Sequence, residues 1–181
     1  RAELDNMRAA LTEAPAALAR ARIELSELEL GKKLGSGAFG AVHRGTYRGT
    51  PVAVKQMHKK HAGRSELAQA FADEVLLLLE LRHPNIVQLI GGSWDVDKGE
   101  MCLVLELCSK GSLEDLLQDT QQALSWCGEL LPLATGVARG MAYLHGQSPP
   151  IIHRDLKPAN VLLGSDLTPK IGDMGSAMVL E

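Results

Sequence analysis

The sequence has little of several things, and each shortage removes a class of function. It holds three cysteines in 181 residues, Cys102, Cys108 and Cys127. An odd count without metal-ligand spacing argues against a disulfide framework and a zinc site. An apolar run such as residues 75–79 is far too short to span a bilayer. No basic start followed by an apolar stretch and a small-residue cleavage site stands at the N-terminus, so no secretory signal is read there. Neither sign of charge dominates: 19 Lys+Arg against 22 Asp+Glu give −3, with a pI near 6.1. That balance argues against a nucleic-acid binder working through a basic face. No repeat or low-complexity tract interrupts the chain. The expectation is a reducing, intracellular (cytoplasmic) setting, with no membrane span and no nucleic-acid partner.

What is present is ordinary globular material, 45% hydrophobic and 23% charged. The length suffices for one domain with a sizeable core, or a small domain plus a tail. Because the first residue is Arg1 rather than Met, the chain is expected to begin downstream of a start codon.

Residues 1–27 read as a helical leader. Leu4, Met7, Leu11, Leu18, Leu25 and Leu28 fall on a 3-4 spacing, with Ala14 and Ala21 between them. Pro15 interrupts the pattern, and Thr12 is a candidate cap for a restarted helix. Two uses remain open: a short partner-binding coiled coil, or a leader packed on the next domain.

From Leu28 onward the texture turns to strand. Two apolar stretches flank a glycine-rich turn, and Val52, Ala53, Val54 and Lys55 follow the turn at Gly49, Thr50 and Pro51, which predicts an antiparallel meander. Residues 66–82 carry apolar positions at helical period and stop before His83 and Pro84. Strands are expected over 86–90 and 101–107, with a polar turn at 95–99. Helices are expected over 112–121 and 127–146, the second using Ala134, Gly136, Ala138 and Gly140 for close packing. Short strands follow at 151–152, 161–163 and 170–171. Strands first and helices afterwards make an α+β plan in two lobes.

Three segments carry chemistry. Gly35, Gly37 and Gly40 form a GxGxxG pattern. In a dinucleotide-binding unit the third glycine opens a helix, whereas here it leads into a strand, so that reading fails on context. A hairpin whose backbone N–H groups lie over phosphates fits instead. Lys55 sits on a strand among apolar neighbours, and an inward-facing lysine needs a compensating anion. Of the acids on the next helix, Glu74 shares the apolar face of Leu78, while Glu66, Asp73 and Glu80 read as solvated. Lastly, residues 151–163 (IIHRDLKPANVLL) pack an acid, two bases and an amide into one turn. With Asp173 further on, Asn160 makes a hard-oxygen pair suited to magnesium on phosphates.

In that order, the glycine-rich loop, the Val-Ala-Val-Lys strand, the His-Arg-Asp loop and the Asp-Met-Gly at residues 173–175 resemble a eukaryotic protein kinase from residue 29 to the end. The resemblance implies a protein-kinase-like two-lobed fold: a complete small β-rich lobe plus the first part of the helical large lobe. It implies domains at 1–27 (leader) and 28–181 (kinase), the latter divided into small lobe and hinge at 28–108 and the start of the large lobe at 109–181. It implies that Gly35, Gly37 and Gly40 cover the ATP phosphates and that Lys55, paired with Glu74, holds the α and β phosphates. Asp155 would accept the proton of the substrate hydroxyl, with Lys157 steadying the transferring phosphate and Asn160 and Asp173 holding Mg2+. Leu34, Val42, Ala53 and Leu162 would enclose adenine, Leu105 would be the gatekeeper, and Glu106 to Cys108 the hinge. The setting of Lys157, and the residues around Ile86 and Gly92, resemble the tyrosine-kinase-like group of serine/threonine kinases, so the expected partner is a protein bearing Ser or Thr.

Two departures from the family pattern stand out. Met174 takes the place of the usual Phe, expected to stack with Leu78, Leu89 and His153, and fills that space less firmly. The chain also ends at Glu181, before an activation loop or an Ala-Pro-Glu segment, which is expected of a fragment of a longer kinase. On that reading Arg154 is left without its usual phosphorylated partner, and the helix near Leu130 and Tyr143 bares apolar surface. A truncated nucleotide- or partner-binding module without transfer activity is the alternative.

Overall fold

The computed structural model describes residues 16–37, 40–57, 64–95, 98–121 and 123–180. The leader positions Leu4, Met7, Leu11, Thr12, Ala14 and Pro15, with Ala38, Phe39, Val96 and Asp97, lie outside the described residues. The chain divides into two units, one made of Arg1–Leu81 and Gln88–Leu107, the other of Arg82–Val87 and Cys108–Glu181.

The first unit is a five-stranded antiparallel sheet with one long helix. Its strands are β1 (Leu28–Gly37), β2 (Gly40–Tyr47), β3 (Thr50–Met57), β4 (Leu89–Asp95) and β5 (Glu100–Glu106), ordered β1-β2-β3-β5-β4. The expected meander is present: β1 pairs with β2 and β2 with β3, so Val42 lies opposite Lys55. The β2–β3 turn places Arg48 at φ 48 and Gly49 at φ 80, the left-handed pair that a two-residue hairpin of this twist requires. Arg48 tolerates that backbone while Glu27 accepts from its Nε at 2.9 Å and its Nη2 at 2.7 Å.

Alternation sorts β3 into two faces. Val52 and Val54 pack with Ile23, Cys102 and Val104 on one face; Ala53 and Lys55 point to the other. Helix α2 (Arg64–Glu80) buries Ala68, Phe71, Ala72, Val75 and Leu78, a 3-4 stripe, and leaves Glu66, Asp73 and Glu80 exposed. Phe71 meets Trp94 of β4 edge to face at 5.8 Å. A short helix α1 (Ala16–Arg20) precedes β1, with Leu18 fully buried. The end of the leader is thus part of the packing of this unit.

The expected strand over 86–90 is displaced. β4 starts at Leu89, because Ile86 and Val87 belong to the second unit, where the Val87 N–H donates to the Ile171 carbonyl at 2.9 Å. Two buried apolar residues after Pro84 read as strand from sequence, yet they make only a lone bridge.

The second unit holds helices α3 (Leu113–Gln118) and α4 (Leu131–His145) and two short strand pairs: β6 (Ile151–Ile152) with β9 (Met178–Val179), and β7 (Val161–Leu163) with β8 (Pro169–Ile171). Ser112 and Asp115 cap α3 reciprocally: the Asp115 N–H donates to Ser112 Oγ at 3.1 Å and the Ser112 N–H to Asp115 Oδ2 at 2.9 Å. The expected helix 127–146 is two pieces, a π-turn over Trp126–Leu130 and then α4, which has a proline in its first turn.

The expected four small packing residues of α4 divide in half. A Cβ on Gly136 would sit 2.4 Å from Pro169 Cγ, and one on Gly140 would sit 2.8 Å from the Asn85 carbonyl oxygen. Ala134 and Ala138 are exposed instead. Residues two apart on a helix point to different sides, so only the i, i+4 glycine pair can share the packed face.

Candidate active site

Unit one contributes a buried ion pair. Lys55 Nζ lies 3.0 Å from Glu74 Oε1, with the two side chains 8% and 6% exposed. Period two on β3 turns Lys55 away from Val54, and helical spacing puts Glu74 in the Phe71–Val75–Leu78 stripe, so both charges enter one apolar environment together. Breaking the pair from either side is costly, because a charge that loses an ion-pair partner at such burial is penalised by several kcal/mol. Val42 and Leu103 flank Lys55 in register, while Ala53 lies opposite Leu105, placing Val42, Ala53, Lys55 and Leu105 on one sheet face.

The glycine-rich turn closes with Gly37 opposite Gly40. Gly40 has φ 151, and a Cβ there would fall inside the Gln56 carbonyl, so no other residue fits without moving β3. A Cβ on Gly35 would meet nothing within 4 Å. Leu34 is half exposed. Towards the end of the unit, Gln88 and Glu106 are locked together: the Glu106 N–H donates to the Gln88 carbonyl at 3.0 Å, and the Gln88 N–H donates to Glu106 Oε1 at 2.8 Å. This use of the Glu106 carboxylate is absent from the sequence reading, since nothing local marks two residues that far apart as partners.

Unit two contributes a loop tied by its own backbone. His153 is fully buried. The Asp155 backbone N–H can only donate, so at 3.3 Å His153 Nδ1 accepts it, and His153 Nε2 then carries the proton to the Gly172 carbonyl at 2.9 Å. The Gly172 N–H in turn donates to the Asn160 carbonyl at 2.9 Å. Gly172 is therefore held from both sides, which fixes the step into Asp173; sequence reasoning gave Gly172 no role.

Asn160 is buried, and its Nδ2 donates to the Asp155 carbonyl at 2.8 Å and to Asp155 Oδ2 at 2.9 Å. With the nitrogen committed, the amide presents its oxygen as the remaining acceptor, the atom a hard cation takes. Asp173 has φ 58 and ψ 64, a left-handed backbone that costs a non-glycine residue of order 1 kcal/mol and is kept where the surroundings impose it. Among the described residues no group of three or more His, Cys, Asp or Glu could hold a metal. The amide oxygen of Asn160 and the Asp173 carboxylate still fit a magnesium ion that completes its shell with phosphate and water oxygens.

Lys157 Nζ sits 2.8 Å and 3.1 Å from the two Asp155 oxygens. This hydrogen bond, foremost among the causes, holds the Asp155 carboxyl below its ordinary range and raises Lys157. Asp155 is thereby an ionised acceptor, and Lys157 a cation beside it. Leu162 lies on β7, half-buried, and Cys108 opens the longer segment of this unit, also half-buried.

Two expectations need revision or refinement. Arg154 is not left without a partner: its Nε donates to the Ser176 carbonyl at 2.6 Å, with Nη1 at 3.8 Å from Met178 Sδ. A cation at φ 62 turns back over the turn that follows Asp173, a contact no local pattern announces. Met174, in the place of the usual Phe, is buried, so the methionine fills core space in its own unit.

Residues 28–181 match the family described as protein tyrosine and serine/threonine kinase, and the chain belongs to that family. It is 41% identical over 157 residues to the "Probable serine/threonine-protein kinase drkD" of Dictyostelium discoideum, covering 87% of this chain and 12% of that protein. It is 40% identical over 149 residues to the dual specificity protein kinase splA of the same organism, covering 82% of this chain and 6% of that protein. The chain thus spans a small fraction of the length of these relatives. The family generally uses ATP and Mg2+, and its members' substrates are proteins. No helix among the described residues is long and apolar enough to cross a membrane.

Proposed function

We propose that this chain is the nucleotide-binding and catalytic-loop portion of a serine/threonine protein kinase, with domains at 1–27 and 28–181, acting inside the cell on Ser or Thr hydroxyls of protein substrates. The buried Lys55–Glu74 pair carries the reading. An apolar core gains nothing from two charges that hydrophobic residues could replace at equal or better stability, so their retention is explained by a job for the ammonium.

In this reading Lys55, oriented by Glu74, holds the α and β phosphates of ATP, and the backbone of Gly35, Gly37 and Gly40 covers them. Adenine is assigned to Leu34, Val42, Ala53 and Leu105 of the first unit and Leu162 of the second, with the backbone of Glu106 and Cys108 assigned to its edge. Asn160 and Asp173 hold magnesium, which when bound neutralises charge on the phosphate oxygens. Asp155 receives the proton of the attacking hydroxyl, and Lys157 beside it neutralises charge on the transferring group. Catalysis comes from positioning and charge compensation rather than from covalent chemistry by the protein.

Titration with MgATP tests the binding half. Saturable, magnesium-dependent binding that falls at least about tenfold in Lys55→Met is expected; equal binding in that variant would remove Lys55 from the phosphate site.

A further inference from the structure

We infer that residues 21–23 form a clasp on the edge of β4 that positions α2, and through it Glu74; this rests on the reading of Lys55 and Glu74 as the phosphate-holding pair. β4 is the last strand of the sheet, and its outer edge is taken by the leader. The Ile23 N–H donates to the Gly92 carbonyl at 2.8 Å, and the Gly92 N–H donates to the Ala21 carbonyl at 2.9 Å. Covering an edge is by itself ordinary protection against misassociation. Three further observations make this contact specific.

First, β4 is shaped for the leader. A Cβ on Gly91 would lie 2.5 Å from the Ala21 carbonyl oxygen and 2.7 Å from Ile23 Cδ1, and its three nearest atoms all belong to the leader. Second, the contact continues into α2. The Arg22 guanidinium lies 5.0 Å over the Trp94 ring, and Trp94 meets Phe71 of α2 at 5.8 Å. Beside it, a Cβ on Gly92 would sit 3.0 Å from Phe71 Cζ and 3.2 Å from Val75 Cγ2, so α2 rests directly on the strand residue that the leader bonds. Glu74 falls between those two side chains in sequence. Third, Ile23 packs with Val52 and Val54, which share β3 with Lys55, and α1 packs on α2. The clasp therefore bears on the strand of the lysine and on the helix of its partner.

The test is amide hydrogen exchange in Gly91→Ala, whose nearest steric conflicts are with the leader. A clasp that positions α2 predicts lost protection at Ile23 and Gly92 and exchange at least about tenfold faster over residues 71–78, with β1 and β2 unchanged. A merely stabilising contact speeds exchange evenly through the unit, and that result, or release of the leader with α2 unchanged, overturns the inference. Should Gly91→Ala fail to fold, Arg22→Ala decides, because Arg22 is exposed and its loss leaves no buried gap: selective acceleration over 71–78 upholds the clasp, and none refutes it. The phosphate reading is scored apart, by MgATP titration of Lys55→Met. An unaffected titration there sinks that reading while the exchange result stands on its own.

Discussion

The Asn160 side-chain amide donates twice to Asp155, to its backbone carbonyl at 2.8 Å and to its carboxylate at 2.9 Å. One buried amide thus fixes both the path of the loop and the direction of the acid, and the same residue's carbonyl receives the Gly172 N–H. Asn160→Ala is expected to lower transfer by about a hundredfold or more, since a misaimed base loses most of its contribution. The stability cost is about 1–3 kcal/mol, from hydrogen-bond partners left without their donor. Steady-state kinetics beside denaturant unfolding checks both numbers.

The Lys55–Glu74 pair separates stability from function. Glu74→Gln breaks the buried ion pair and is expected to cost about 3–5 kcal/mol. The double variant Lys55→Met/Glu74→Leu removes both charges and should recover most of that loss without recovering nucleotide binding. Chemical denaturation of wild type and the two variants measures the loss and its recovery. A double variant as unstable as Glu74→Gln would show that packing rather than charge is at issue.

The acid limb of the pH–rate profile should sit below the ordinary aspartate value, because the Lys157 hydrogen bond holds the Asp155 carboxyl low. The sign follows from the two directions. The depressed Asp155 group contributes favourably above its unfolded value and loses that contribution as pH falls through its folded one. The raised Lys157 group contributes below its unfolded value and loses it as pH rises through its folded one. Lys157→Met is expected to move the acid limb upward. Both groups are reached by solvent, so added salt should shrink the difference between the two proteins.

Helix α4 offers a steric test. Gly136→Ala pushes a methyl group to 2.4 Å from Pro169 Cγ and is expected to cost about 1–3 kcal/mol. Ala134→Ser, on the exposed side, should change unfolding free energy by less than about 0.5 kcal/mol. Equal effects would mean that the packed face has been misplaced.

Local pattern made much of this legible. Period two announced the β1–β3 meander, helical spacing put Glu74 rather than Glu66, Asp73 or Glu80 on the buried face, and the ordered polar set at residues 153–173 marked the loop. The misreadings share a cause, which is that tertiary context reassigns short segments. Ile86 and Val87 look like strand but are spent in the other unit, and the π-turn at Trp126–Leu130 carries the same residues a helix would. The partners of Arg154, Gly172 and Arg22 are set by chain segments that meet only on folding. No window of sequence contains both halves of those contacts.

The most direct test of the central claim is transfer of labelled γ-phosphate from MgATP to a protein acceptor, followed by phosphoamino-acid analysis, with wild type beside Asp155→Asn. Label on Ser or Thr from wild type, lost in Asp155→Asn while MgATP binding persists, is the expected result. Undiminished transfer by Asp155→Asn, or a wild-type protein that binds MgATP and transfers nothing, would contradict the account.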